Sequence, residues 1–506
     1  MAYLSLLFDN EKTRGEFYKR TCEEKAIAVV KDIGITAVLD EIRKSTPDFP
    51  NEYLLFPPYD IDTQNLRRET AEEIYNSSAL FDSLKNFATK LYVLKQHRRN
   101  IAEIKNKDAR NQLFLSAVVE YCASLKHLAK ITENAHACGL RTICSEAKRL
   151  FCEIEHGIYR KAEELCRRVN AILAVSMRFD FYNQTVKIEP AAEDSFSEKL
   201  TELAGDVFGT KLSFSFSAVN NIQLSPLEEL LIEVMKVRDP EIFKELELFY
   251  EENKRINFDK LIDLRDEILF FIGYIEFVKK YESVGFKFSF SEITSENICA
   301  SEIYDISLAI KCGESNLVVT NDMEIRKGDI FVISGANQGG KTTFLRAFGQ
   351  CVFLAAQGLP VPAQRFGTPF FSSLYTHFNR NEVAGKSRLE DEIDRIKEIL
   401  SDVCESSVVL FNECFVGTRR NDAVLLSEKV FAKLFELGVT CGFVTHFFEL
   451  PLRDGRLISF VAEAMDDGTE KRTYHILKRS PDGLAHAHSI AVACGATYDQ
   501  LLMETK

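Results

Sequence analysis

The sequence predicts a multidomain protein in which an all-helical region is followed by an α/β domain, and three observations carry that expectation. The chain has 506 residues, more than one ordinary hydrophobic core accommodates. Its middle holds long apolar stripes at helical spacing. After Ser283 the pattern changes to short β-branched runs separated by helical stretches, which is how a largely parallel sheet with crossover helices is written.

The first hundred residues mix short helices with the break Phe56-Pro57-Pro58, so residues 1–105 are expected as a mostly helical subdomain. Residues 106–283 form the main helical region. From about Gln112 to Val175 apolar and charged positions alternate at helical spacing, with Leu113, Ala117, Val118, Tyr121, Leu125 and Leu128 on one face. A second run opens at Asp239-Pro240, where Asp suits a cap and Pro the first helical position. It continues in one stripe through Leu261, Leu264, Ile268, Phe271, Ile275 and Val278. Between the runs, Phe179-Asp180-Phe181-Tyr182 and Leu212-Ser213-Phe214-Ser215-Phe216 alternate with period two, predicting a small β insertion near 176–220. Residues 284–506 are the α/β domain, with strands expected at Asn316–Thr320, Asp329–Ile333, Val408–Phe411 and Cys441–Val444. There is no internal repeat and no low-complexity tract.

Hydrophobic residues at 46% and charged residues at 27% are the balance of a soluble globular chain and exclude a disordered one. Thirteen cysteines lie singly, without a repeated C-x-x-C pair or a signal peptide, which reads as reduced thiols and a cytoplasmic location. The longest apolar stretch, Ile268–Val278, is about half a membrane span and is interrupted by Glu276, so no membrane role is expected. A net charge of −13 opposes generic adhesion to nucleic acid. The basic cluster Lys95, His97, Arg98, Arg99, Lys105 and Lys107 reads first as a solvated helix face, with phosphate contact as the alternative.

Gly335-Ala336-Asn337-Gln338-Gly339-Gly340-Lys341-Thr342 fits G-x-x-x-x-G-K-[ST]. It follows the apolar run Ile330-Phe331-Val332-Ile333 and precedes the helical run Phe344–Phe348, the context this motif requires. Glycines let backbone N–H groups turn inward around phosphates, and the helix N-terminus adds its positive dipole end. Lys341 is placed to reach β- and γ-phosphates, and Thr342 to put its hydroxyl on Mg2+, so ATP with Mg2+ is the expected ligand. Downstream, Val408-Val409-Leu410-Phe411-Asn412-Glu413 is a buried-strand run ending in polar groups. Glu413 is positioned to orient or deprotonate an attacking water. Asn412 stands where an Asp is usual, keeping the shape but not the charge that helps hold Mg2+, which predicts slow hydrolysis. Cys441-Gly442-Phe443-Val444-Thr445-His446 repeats the strand-then-polar pattern, with His446 placed to sense a γ-phosphate.

These motifs resemble one family in order and spacing. Gly335 through Thr343, Pro360-Val361-Pro362-Ala363-Gln364, Gly417-Thr418, Asp422 and Thr445-His446-Phe447-Phe448-Glu449-Leu450 are similar to the ATPase domain of MutS mismatch-repair proteins. Weaker likeness runs through Asp60-Ile61-Asp62 to Glu69 and the Phe258–Tyr281 helix, which look like the family's core and lever. The resemblance implies a P-loop ATPase domain of ABC/MutS type and a homodimer in which each nucleotide is closed by the partner's signature loop. Ala384-Gly385-Lys386-Ser387 looks like that loop, with Ser387 matching the serine that contacts the opposite γ-phosphate. Without the family, Gly385-Lys386-Ser387 reads as a turn before the helix at Glu390. Asp422 matches the Asp that couples the two sites. Phe415-Val416 replaces the family's Gly-Arg, and neither the N-terminal mismatch-reading domain nor a Phe-x-Glu wedge is recognisable. The expectation is therefore a dimeric, ATP-hydrolysing clamp on DNA that does not read mismatches by a wedge. The alternatives are a clamp on a ribosome or protein partner, and a nucleotide-locked scaffold with little hydrolysis.

Overall fold

The computed structural model describes residues 4–20, 24–58, 60–173, 177–182, 185–190, 226–378, 388–464 and 472–481. The chain divides into two compact units. One comprises Met1–Leu4, Asp82–Asn134 and Arg141–Arg265; the other comprises Ser5–Phe81, Ala135–Leu140 and Asp266–Lys506. The first hundred residues, expected as one subdomain, are thus shared between the two. Among the described residues no helix is long and apolar enough to cross a membrane.

The first unit is mainly helical. Asn106 caps the Lys107–Ile131 helix by accepting from the backbone N–H groups of Asp108 and Ala109, both at 3.1 Å. The predicted stripe from Leu113 to Leu128 is its buried face. Phe114 of that face packs against Phe249 and Tyr250 of the Pro240–Asn253 helix, with ring centroids 6.3 and 5.1 Å away. Pro240 occupies the first helical position as expected, but Asp239 does not cap: its carboxylate accepts from Arg238 Nε at 2.6 Å, and the neighbouring cation outcompetes the helix amides. Strands β1 (Met177–Tyr182) and β2 (Thr185–Pro190) pair antiparallel, as the first of the two alternating runs predicts. The second, Leu212–Phe216, lies outside the described residues.

The second unit is built on two sheets. Strands β3 (Glu292–Ile293), β4 (Asn297–Ile303), β5 (Asn321–Arg326) and β7 (Arg365–Thr368) form a mixed sheet in the order β3-β7-β4-β5. The larger sheet contains β6 (Ile330–Ser334), β8 (Ser373–Phe378), β9 (Ser407–Asn412), β10 (Thr440–Val444), β11 (Ile458–Ala464) and β12 (Arg472–Lys478). Its order is β12-β11-β6-β10-β9-β8, parallel except for the β11/β12 edge pair. Every residue of β6 and β10 is buried, which explains why both read as continuous apolar runs and not as alternating ones.

One expected strand is displaced. Asn316–Thr320 is not a strand; Leu317 N–H donates to Glu314 O and Val318 N–H to Ser315 O, closing a 3-10 turn over Ser315–Leu317. The ladder starts at Asn321, which pairs with Ile303, because β4 has no residue left to pair with Val318–Thr320. Local β-branched composition therefore located the segment but not its hydrogen bonding.

Segments from Ser5–Phe81 pack directly on the Lys341–Ala356 helix. Arg67, fully buried, donates to Gln357 Oε1 at 2.7 Å and to Leu7 O at 3.1 Å. Gln64 donates to Ala355 O, Gln357 to Leu54 O and Gln350 to Ile33 O, each at 2.7 Å. These buried donors find carbonyl oxygens, while among the described residues Arg67 Nη2 and Gln64 Oε1 are left without a partner.

Candidate phosphate-binding site

The register of the parallel sheet brings the polar groups together. Val444 pairs with Ile333 on one side and with Asn412 on the other, so β6, β9 and β10 end at one level. The backbone continues the alignment: Thr445 N–H donates to Ile333 O and Glu413 N–H to Val444 O, both at 3.0 Å. The residues that follow these strands, Gly335, Glu413 and His446, emerge at the same edge, where α/β sheets bind ligands.

The Gly335–Gly340 loop needs its glycines. Gly335 has φ +126°, and a Cβ there would stand 2.8 Å from the Ala462 Cβ on β11. Gly340, at φ +89°, starts the Lys341–Ala356 helix in the left-handed region. Gln338 also takes positive φ, 58°, at a position where side chains are strained. Ala336 is half-buried and Asn337 exposed.

Lys341 is buried, with Nζ donating to Gly335 O and Ala336 O, each at 2.9 Å. Burial pushes its ammonium down to about 8; the Glu413 charge opposes the shift and Arg472 adds to it. Thr342 Oγ1 donates to Asn412 Oδ1 at 2.9 Å, so the hydroxyl and amide predicted to face Mg2+ meet. Thr343 lines the same cavity.

Glu413 is held at φ 57° just past β9, and Phe415 at φ 62° two residues on. Its carboxylate lies 2.9 Å from His446 Nε2. The hydrogen bond from His446 holds Glu413 below the usual carboxylate range against the opposing effect of burial; the His446 and Lys341 charges help. Phe415 is buried, and its N–H donates to Glu392 Oε1 at 2.8 Å.

A cavity of about 440 Å³ runs along Gln338–Thr343 and Glu413. Its lining includes residues no motif marked: Tyr304, Leu317, Asn321 and Tyr474, the last directly against Gly340. Asn321 ties β5 to β12, accepting from Ile476 N–H at 2.7 Å and donating to Tyr474 O at 3.3 Å. An Asn at a strand start carries no sequence signal for this role; only sheet-to-sheet packing reveals it. Asp422 is exposed in the first turn of the Arg420–Glu436 helix and does not line the cavity. Ser387 lies outside the described residues.

Comparison with known proteins covers the glycine-loop side of this cavity and not its Ile303–Asn321 lining. Residues 331–503 match the family model of MutS domain V. Over 180 residues the chain is 31% identical to the DNA mismatch repair protein MutS of Thermus aquaticus and 29% identical to that of Thermus thermophilus. Each match covers 35% of this chain and 22% of the relative, so the likeness spans less than a quarter of the relatives' length. The segment that carries the glycine loop, the strand-end Glu413 and His446 is thus similar to domain V of MutS proteins.

Proposed function

We propose that this chain binds ATP with Mg2+ in the cavity along Gln338–Thr343 and hydrolyses it to ADP and phosphate, as an ABC-type homodimeric clamp acting on DNA in the cytoplasm. One observation carries the reading: a buried ammonium, a helix-head hydroxyl and a polarised carboxylate share one wall of a cavity sized for a nucleotide.

The residues suit the group. Lys341 has only carbonyl partners and a depressed pKa, so anionic phosphate oxygens would complete its environment. Thr342 and Asn412 present hard oxygens, the donors Mg2+ takes. Bound Mg2+–ATP supplies the phosphoanhydride and neutralises its charge. Lys341 then holds phosphate oxygens, while amides of the Gly335–Gly340 loop orient them. Glu413, anionic and held by His446, orients a water and takes its proton. Ser387 and Asp422 enter through the family resemblance, as parts of the surface that meets the partner and couples the two sites.

The DNA part rests on the relatives' mismatch-repair role. The basic cluster does not add to it: Arg98 pairs with Asp259, Arg99 with Glu103 and Lys107 with Glu247. The net charge of −13 favours a second reading, a clamp on a ribosome or protein partner. Asn412, bonded to Thr342 without a carboxylate's charge, favours a third, a nucleotide-locked switch.

The test is ATP binding and steady-state hydrolysis by the purified chain beside Lys341→Ala and Asn412→Asp, with and without duplex or branched DNA. Turnover that Lys341→Ala abolishes and DNA alters supports the clamp on DNA. Binding without turnover, with hydrolysis restored by Asn412→Asp, replaces it with the locked switch. Loss of no ATP binding in Lys341→Ala removes the cavity from the reading altogether.

A further inference from the structure

A second cluster of chemistry-bearing side chains lies beneath the Glu413 turn, and no motif or comparison assigns it. His377 comes from β8, Glu392 from the Arg388–Asp402 helix, and Cys414 directly follows Glu413. They are 2%, 6% and 1% exposed by residue, too buried for surface groups that merely happen to be near one another. One ligand-type atom from each lies within 4.8 Å of the other two.

The cluster is incomplete as a hydrogen-bonded network. His377 Nε2 stands 3.4 Å from Glu392 Oε1, beyond the range of a good charge-assisted bond. That distance does suit two ligands of one ion: tetrahedral zinc with bonds of 2.0 to 2.3 Å holds its ligand atoms about 3.3 to 3.8 Å apart. Glu392 is also oriented by the Phe415 N–H at 2.8 Å, the kind of outer hydrogen bond that fixes a ligating carboxylate.

We propose that His377, Glu392 and Cys414 bind one divalent cation of the zinc class. Imidazole nitrogen and thiolate sulfur select Zn2+ or Co2+ over Mg2+ and Ca2+. The thiol proton leaves to solvent on binding, and thiolate plus carboxylate then balance the dication. The ion would tie the end of β8 and the Arg388–Asp402 helix to the turn in which Glu413 and Phe415 hold positive φ. With three protein ligands, a water would complete the tetrahedron; the ion would brace that turn, and the proposal stands independently of the nucleotide reading.

The experiment uses the full chain. Metal content is measured after dialysis, and metal-stripped protein is titrated with Co2+ while the thiolate-to-cobalt charge-transfer absorption is followed. The expected result is about one Zn2+ per chain and a thiolate band that Cys404→Ser, at an exposed cysteine, leaves intact and Cys414→Ser abolishes. His377→Gln should weaken Zn2+ affinity at least about 100-fold, more than loss of an outer hydrogen bond does, with circular dichroism confirming that the variants fold. The unsubstituted chain showing no thiolate band, or a band that survives Cys414→Ser in folded protein, overturns the proposal.

Discussion

Replacing Lys341 with Met should strengthen the nucleotide-free fold while removing its response to ATP. Burial lowers the Lys341 ammonium from its ordinary 10.5 to about 8. At about 1.4 kcal/mol per pH unit, that gap costs the folded state about 3 kcal/mol at pH 7. The sign follows from the direction: the folded group binds its proton more weakly than the unfolded one, so the cost is complete below pH 8 and disappears as pH rises to 10.5. The bonds to Gly335 O and Ala336 O return about 1 kcal/mol each. A Met side chain of similar length avoids the cost and forfeits the bonds, a net gain of about 1 kcal/mol. For a unit of this size that raises the thermal midpoint about 2 °C. In the unsubstituted chain, ATP at a hundred times its Kd adds about 3 kcal/mol, and the variant should lose this entirely. Thermal unfolding at pH 7, with and without Mg2+–ATP, measures both effects. A Met variant that melts several degrees lower without nucleotide would show that Lys341 is structural and not held ready for an anion.

Three further outcomes follow from the same geometry. Glu413→Gln should leave ATP affinity within a few fold and lower phosphate release about 10²- to 10⁴-fold, the usual contribution of a general base; unchanged turnover assigns the water to another group. Gly335→Ala should destabilise the chain by roughly 2 to 5 kcal/mol, adding strain at φ +126° to a 2.8 Å approach to Ala462. A urea midpoint matching the unsubstituted chain refutes that. ATP affinity should be flat below pH 8 and fall by up to tenfold per unit above it, as one proton is lost from Lys341. Isothermal titration across pH 7 to 10 checks the slope, and Lys341→Met should abolish what remains of it.

Much of the site was legible before the fold. The run Ile330–Ile333 followed by a glycine loop and a helix is local, and so are the polar ends of the Val408–Phe411 and Cys441–Val444 runs. Buried parallel strands are apolar on both faces, which makes them visible as uninterrupted runs. Asn316–Thr320 misled for the complementary reason: β-branched composition marks a fit to a pleated surface, but pairing needs a partner strand, and β4 supplies one only from Asn321 onward.

By itself, then, the sequence determined the elements whose signal is carried by neighbours in the chain: the helical stripes, the buried strands, the glycine loop and the polar residues that end β9 and follow β10. Only the tertiary structure decided what meets what. It levelled Ile333, Asn412 and Val444 through hydrogen-bond register, bringing Glu413 within 2.9 Å of His446. It brought Leu317, Asn321 and Tyr474 to the cavity along the glycine loop, packed Arg67 against Gln357, and gathered His377, Glu392 and Cys414 beneath the same turn. The reason is that periodicity records which face of an element is buried, whereas long-range pairing is selected by register and close packing among residues far apart in the chain.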